Sequence, residues 1–270
     1  MKIVVTGSEG FVGQHVVMRL EARGHEVRRF DILLGHNIAL PIDPEPCDAV
    51  IHLAAMAAPK LCDESPAQAF SINVNGTLQV LKFALASGAK KFVFASSAHV
   101  YGVGPRYLPT DETHPLSLGN TYTTTKILGE ELCRLYWENH GLPYTILRLF
   151  NAYGPGQGPG YFIPDMIQKA KSPKPWLSGA DTTKDWVYID DVARAFALAV
   201  ESPYVGALNI GSGVSVKLGI VASLIGGFTF LPGGKPTHMR ADITRAQRIL
   251  GWVPTTGVQD GITRIKLERS

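Results

Sequence analysis

The chain has 270 residues, 45% hydrophobic and 18% charged, with a formal net charge of +3. That is apolar material for one large domain or one and a half, and too much for a disordered chain. So mild a charge, with no dense Lys/Arg stripe, gives no footing to a nucleic-acid binder, and no run reaches the ~18 apolar residues of a membrane span.

The N-terminus opens directly into Met1-Lys2-Ile3-Val4-Val5-Thr6, a short apolar run that reads as a buried strand over 2–6 and lacks a signal-peptide pattern. Residues 11–23 carry helical spacing, with Phe11, Val12, Val16, Val17 and Leu20 on one side, and Gly24 ends that helix. A second strand is expected at 26–30, followed by apolar strands at 49–53, 91–95 and 144–149, with helices near 67–87 and 121–140. Residues 34–46, with Pro41, Pro44 and Pro46, carry too few helix signals for a full crossover helix. This alternation predicts an α/β fold, a Rossmann-type doubly wound parallel sheet with helices on both faces. The breaker cluster Gly154-Pro155-Gly156-Gln157-Gly158-Pro159-Gly160 marks a change of character. Residues 1–153 and 186–200 read as a nucleotide-binding domain, and 154–185 with 201–270 as a smaller substrate-binding domain. Cys47, Cys62 and Cys133 are odd in number and match no metal or disulfide spacing, so they read as buried reduced thiols of a cytoplasmic protein, with no metal site expected.

Gly7, Gly10 and Gly13 lie where the first strand hands over to the first helix. Glycines there let the chain turn tightly and let a pyrophosphate approach the backbone amides at a helix N-terminus, with Phe11 and Val12 beginning that helix. Asp31 ends the second strand, where a carboxylate accepts hydrogen bonds from the ribose hydroxyls of adenosine and repels a 2′-phosphate, which selects NAD over NADP. Arg28 and Arg29 precede it and read as a solvent-side charge and a strand-end charge.

With these residues in place the sequence resembles the extended short-chain dehydrogenase/reductases, the NAD-dependent epimerase/dehydratase family, UDP-glucose 4-epimerase-like members included. The resemblance spans nearly the whole chain. It rests on the glycine loop, Asp48–Ala55, Asn73-Val74-Asn75-Gly76-Thr77, Ser96–Gly102, Tyr122 with Lys126, Arg148–Pro155, Lys184–Ala193, Leu208–Gly213 and Ala241–Ala246. It implies that Leu53, Ala54 and Ala55 pass beside the cofactor, that Asn73 and Phe150 lie near it, and that Asn37 and Ile38 sit at its adenine. It assigns Asn151, Phe162 and Lys184 to the substrate, a nucleotide sugar. It also implies a homodimer through the two long helices, whose apolar positions include Leu78, Leu81, Leu85, Leu128, Leu132 and Leu135.

Tyr122 and Lys126 are four apart and share one face of a helix. A free phenol is a poor base near neutrality, and an adjacent ammonium together with the positive nicotinamide ring is expected to lower its pKa. Tyr122 then exchanges a proton with a sugar hydroxyl, Ser97 hydrogen-bonds the same oxygen, and Lys126 also reaches the nicotinamide ribose. His99, two residues beyond Ser97, reads as a structural or substrate-lining histidine. Relatives that dehydrate sugars carry an acidic pair where Ala98 and His99 stand, which disfavours elimination and leaves a redox-neutral epimerase, acting at C4 through a transient keto intermediate, as the first reading. The alternatives are an NAD-dependent sugar-nucleotide dehydrogenase or ketosugar reductase on the same site, and a catalytically idle NAD-binding protein. Departures from the family pattern fall on the substrate side: Lys184 in place of an arginine, Leu231 before Pro232-Gly233, and Tyr161 in place of an asparagine.

Overall fold

In a computed structural model, which describes residues 1–268, the expected strands form one parallel sheet. β1 (Lys2–Thr6) leads through a glycine turn into α1 (Phe11–Glu21), and the chain returns as β2 (Glu26–Phe30). Between β2 and β3 (Ala49–His52) it makes only a 3-10 turn, Ile32–Leu34, and no crossover helix. Two short helices follow, α2 (Pro59–Glu64) and α3 (Pro66–Phe70), each opened by proline in its first turn, where the missing N–H has no helical partner to lose. A π turn, Ser71–Asn75, joins α3 to α4 (Gly76–Ala86), so the helix expected over 67–87 is a broken one. β4 (Lys91–Ser97) runs into a 3-10 turn, Ala98–Tyr101. α5 (Thr121–His140) starts where Asn120 Oδ1 accepts the Thr123 N–H at 2.8 Å and ends at Gly141, which takes the left-handed conformation at φ 68°.

β5 (Tyr144–Leu149) completes the expected set, and the sheet order is β2-β1-β3-β4-β5-β9, with β9 (Gly206–Ile210) parallel to β5. β9 lies inside the stretch expected to belong to the smaller domain, so the large sheet reaches past residue 200. The reason is α7 (Ile189–Glu201), which packs against α1 and delivers the chain back beside β5.

Alternation along the strands divides the core into two layers. Ile3, Val5, Ala49, Ile51, Val93 and Leu147 point toward α1 and α7, where Val16, Val17, Leu20 and the alanine-rich face of α7 meet them. Val4, Val50, Phe92, Phe94 and Ile146 point the other way, onto Val80, Leu81 and Phe83 of α4 and Cys133 and Tyr136 of α5.

The remaining elements sit beyond the carboxyl ends of these strands. β6 (Asn151–Tyr153) and β10 (Ser215–Lys217) flank β8 (Thr183–Tyr188) in a three-stranded sheet. α6 (Phe162–Lys169) and α8 (Leu218–Ile225) pack together, and β7 (Trp176–Ser178) pairs with β11 (Thr229–Leu231). α9 (Thr244–Leu250) and α10 (Val258–Leu267) close the chain. Asp185 ties this region together: its buried carboxylate accepts the backbone N–H groups of Ser212, Gly213 and Ala241. No helix among the described residues is long and apolar enough to cross a membrane.

Candidate active site

The chain runs from β1 to β2 on one side and then returns to β3 on the other, so strand order reverses at β1, and a crevice opens there at the carboxyl ends of the strands. Its wall on this side is Phe11 and Val12, just past the glycine turn. Gly7 takes φ +71°, and a Cβ on it would lie 2.6 Å from Ala54 N; a Cβ on Gly13 would overlap the Gly7 carbonyl oxygen. These glycines let the turn fold onto itself and onto the β3 loop. α1 then starts from Gly10 with no side-chain cap, which leaves its first N–H groups and the positive end of its dipole for an anion.

Asp31 is buried, and its two carboxylate oxygens accept Leu33 N–H at 3.0 Å and Glu9 N–H at 3.1 Å. It therefore caps the 3-10 turn and fixes the glycine loop, with further lone pairs on each oxygen. The neighbouring cations are engaged: Arg28 pairs with Glu45, and Arg29 lies 3.4 Å from Glu21 and 3.7 Å from Glu9.

A cavity of about 470 Å³ continues from this wall toward the smaller sheet. Of the residues singled out in the sequence, Phe11, Val12, Leu53, Ala55, Ser97, Tyr122, Lys126, Phe150, Asn151 and Phe162 line it. Ser97 stands at the end of β4 in the cavity wall, accepts the His99 N–H at 3.2 Å, and hydrogen-bonds Tyr122 with its own hydroxyl. Lys126 Nζ donates to the Ala95 carbonyl at 2.9 Å and lies over Phe94, 5.0 Å from the ring centroid and 5.9 Å from that of Tyr122.

Burial dominates the electrostatics of this pair. The Tyr122 phenol is pushed up to about 12 by burial, against a lowering from hydrogen bonding to Ser97, and Lys126 is pulled down to about 8 by burial. In the protein by itself desolvation outweighs the ammonium, which is turned toward Ala95 O; the lowering expected from the ammonium together with the nicotinamide ring belongs to the NAD-bound protein.

Other expectations change in role. Asn73 is buried, and its amide is spent on the protein: Oδ1 accepts Met56 N–H at 2.7 Å, and Nδ2 donates to Met56 O and to Thr125 Oγ1, both at 3.0 Å. It lashes the β3 loop to α5. Asn37 is exposed and its Oδ1 accepts the Ala39 N–H at 2.9 Å, as a turn residue, while Ile38 is buried against Gly76. Neither they nor Ala54 line the cavity, and Lys184 stands just behind it, with Nζ 3.5 Å from the sulfur of the cavity-lining Met239. Asn151 Nδ2 donates to Asp185 O at 2.9 Å, leaving its carbonyl oxygen uncommitted.

Sequence reasoning missed two supports. His52, fully buried at the end of β3, bridges Thr6 Oγ1 at 2.6 Å and Thr77 Oγ1 at 3.0 Å. Thr77 gives its proton to Asn73 O, so it can only accept from His52, and the imidazole carries its proton on Nε2. The second is a buried ion pair. Glu130, one turn beyond Lys126, receives Ser96 Oγ at 2.5 Å and both Nε and Nη2 of Arg148, at 3.0 and 2.7 Å. It locks α5 to the ends of β4 and β5, and only an i, i+4 step from Lys126 pointed to it.

Residues 3–211 match the model of the NAD dependent epimerase/dehydratase family, and the chain belongs to that family. It is 31% identical to a putative UDP-glucose 4-epimerase of Methanocaldococcus jannaschii, with 97% of this chain and 96% of that protein covered. It is 28% identical to UDP-glucuronic acid decarboxylase 1 of Arabidopsis thaliana, covering 98% of this chain and 69% of that protein. Among solved structures, a Thermus thermophilus UDP-glucose 4-epimerase in complex with NAD superimposes with a TM-score of 0.87 at 27% identity, covering 99% of this chain and 98% of that one.

Proposed function

We propose that this member of the epimerase/dehydratase family is an NAD-dependent nucleotide-sugar epimerase that acts through a transient keto sugar, at C4 of the ring. The observation that carries the reading is the convergence of Ser97, Tyr122 and Lys126 on one cavity that is also lined by Phe11 and Val12, at the uncapped start of α1 just past the glycine turn. The residues present fit the cofactor: the α1 N-terminus receives the pyrophosphate, Asp31 the adenosine ribose, and Phe11, Val12, Leu53, Ala55 and Phe150 supply the walls along it. Bound there, NAD supplies the hydride acceptor and donor and a positive ring near the Tyr122 phenol. The relatives that are named as UDP-glucose 4-epimerases, or solved with NAD, support both the cofactor and the substrate class.

The protein's own part is proton transfer and orientation. Ser97 and Tyr122 hold one sugar hydroxyl between them, and Tyr122 Oη takes its proton as the carbonyl forms and returns it as the carbonyl is reduced. Lys126, its ammonium fixed by the Ala95 carbonyl, keeps positive charge beside the phenolate and in reach of a ribose hydroxyl. Asn151 and Lys184, on strands of the smaller sheet, take the diphosphate end, and Phe162 of α6 lines the substrate side of the cavity. Residues 1–153 with 186–210 form the cofactor half, and the rest form the substrate half. A homodimer through α4 and α5 is favoured by the exposure of Leu85, Leu128 and Leu135, whereas Leu81 is fully buried. A cytoplasmic setting fits three buried, unpaired cysteines.

Incubation with UDP-, GDP- and dTDP-sugars, read by NMR for new anomeric signals, tests the reading. Tyr122→Phe should retain fold and NAD affinity while turnover falls roughly 10²–10⁴-fold. Near-normal turnover in that variant would overturn the mechanism, and stoichiometric NADH release would make the protein a net dehydrogenase.

A further inference from the structure

His99 is a cavity residue that the proton-transfer scheme leaves without a task. Its backbone N–H is committed to Ser97 Oγ, which fixes the start of the 3-10 turn, and His99 lines the cavity beside Ala98 while Val100 is buried away from it. The ring stands edge-on to Tyr122, with centroids 6.1 Å apart and planes at 87°. Neither ring nitrogen has a hydrogen-bond partner among the described residues. Four other histidines of the nucleotide-binding half have their ring nitrogens in hydrogen bonds: His52 with two threonines, His15 with the Pro155 carbonyl, His25 with Glu201, and His114 with the Arg106 N–H and the Pro115 carbonyl. An imidazole with a free donor and a free acceptor, beside the two groups that hold the reacting oxygen, is a recognition element.

Resting on the assignment of Ser97 and Tyr122 to the reacting hydroxyl, we infer that His99 is a specificity-determining residue: its neutral imidazole hydrogen-bonds a hydroxyl borne on, or one carbon out from, a ring carbon next to the reacting one. The charge state follows from the surroundings. Burial lowers the His99 pKa, and the Lys184 ammonium lowers it further. No carboxylate lines the cavity among the described residues to oppose them. Neutral imidazole both donates and accepts, which suits a hydroxyl, and it offers a carboxylate no ion pair.

Isothermal titration of NAD-loaded protein with UDP-glucose, UDP-xylose (no exocyclic hydroxymethyl), UDP-3-deoxyglucose and UDP-glucuronic acid tests this without relying on turnover. His99→Ala should weaken UDP-glucose binding about tenfold, in keeping with one lost hydrogen bond. It should leave within twofold whichever analogue lacks the hydroxyl that His99 contacts. His99→Gln, with one donor and one acceptor, should recover part of the loss, and circular dichroism should show both variants folded. Equal losses for UDP-glucose and both hydroxyl-lacking analogues would make His99 merely structural and overturn the inference. So would no loss on any sugar, or a larger loss on UDP-glucuronic acid than on UDP-glucose. If Tyr122→Phe retains turnover, the failure lies with the reacting-hydroxyl assignment; if no sugar nucleotide binds the wild type, it lies with the substrate class, and the inference falls in both cases.

Discussion

Acid should unfold this protein partly through a single imidazole. His52 is fully enclosed, donates from Nε2 to Thr77 and accepts at Nδ1 from Thr6, and faces Lys126 nearby. Burial, then the Lys126 charge, lowers its pKa from 6.5 to about 3. The unfolded chain therefore binds a proton between those values that the folded chain refuses, and stability must fall as pH drops from 6.5 toward 3. The span is 3.5 pH units at ~1.4 kcal/mol each, an upper limit of about 5 kcal/mol. The loss is already about 1 kcal/mol at pH 5.5 and about 3 kcal/mol at pH 4.5 by the same linkage. His52→Gln keeps one donor and one acceptor but cannot titrate. Urea unfolding followed by circular dichroism at pH 7.5, 6.5, 5.5 and 4.5 should show the variant less stable at pH 7.5, yet losing less than wild type at each step down. Parallel decline of the two proteins would refute the reasoning, because other acid-sensitive groups are common to both.

Three further outcomes follow from the geometry. Gly13→Ala places a methyl into the Gly7 carbonyl, so NAD affinity measured by fluorescence should collapse and the melting temperature should drop; an unchanged affinity would detach the glycine turn from the cofactor. Glu130→Gln leaves Arg148 buried without its counter-charge and should cost about 3–5 kcal/mol in urea unfolding, with a cost below 1 kcal/mol counting against the pair as a structural lock. Asp31→Asn removes the negative charge at the ribose end, so titration should show the preference for NAD over NADP narrowing, and tighter NADP binding by the wild type would overturn the role given to Asp31.

Much of the large sheet was legible because buried parallel strands are nearly continuous apolar runs: Ile3-Val4-Val5 and Ala49-Val50-Ile51 have few other readings. That Tyr122 and Lys126 share one face and one cavity was legible because four residues make about one helical turn. What escaped notice depended on partners far away in sequence. Nothing local distinguishes Asn73 as a clamp on Met56 and Thr125 from Asn73 as a cofactor ligand. The direction of the Tyr122 shift required knowing how deeply α5 is buried, and the strand Gly206–Ile210 joined the large sheet only because α7 returns across α1. Three-residue strands such as Trp176–Ser178 carry too little periodicity to read at all.

The π turn at Ser71–Asn75 has a consequence for the phase of everything before it. Each residue of an α-helix advances the next by about 100°. The turn inserts one residue's worth of rotation between α3 and α4, and with it α3 can bury Ala69 while α4 buries Val80 and Leu81. A one-residue deletion there would let α3 and α4 fuse into a smooth helix, and in doing so would swing Ala69, which packs with Cys62 and Tyr122, out of alignment with both. The segment thus works as a spacer in angle, where length along the chain is almost incidental.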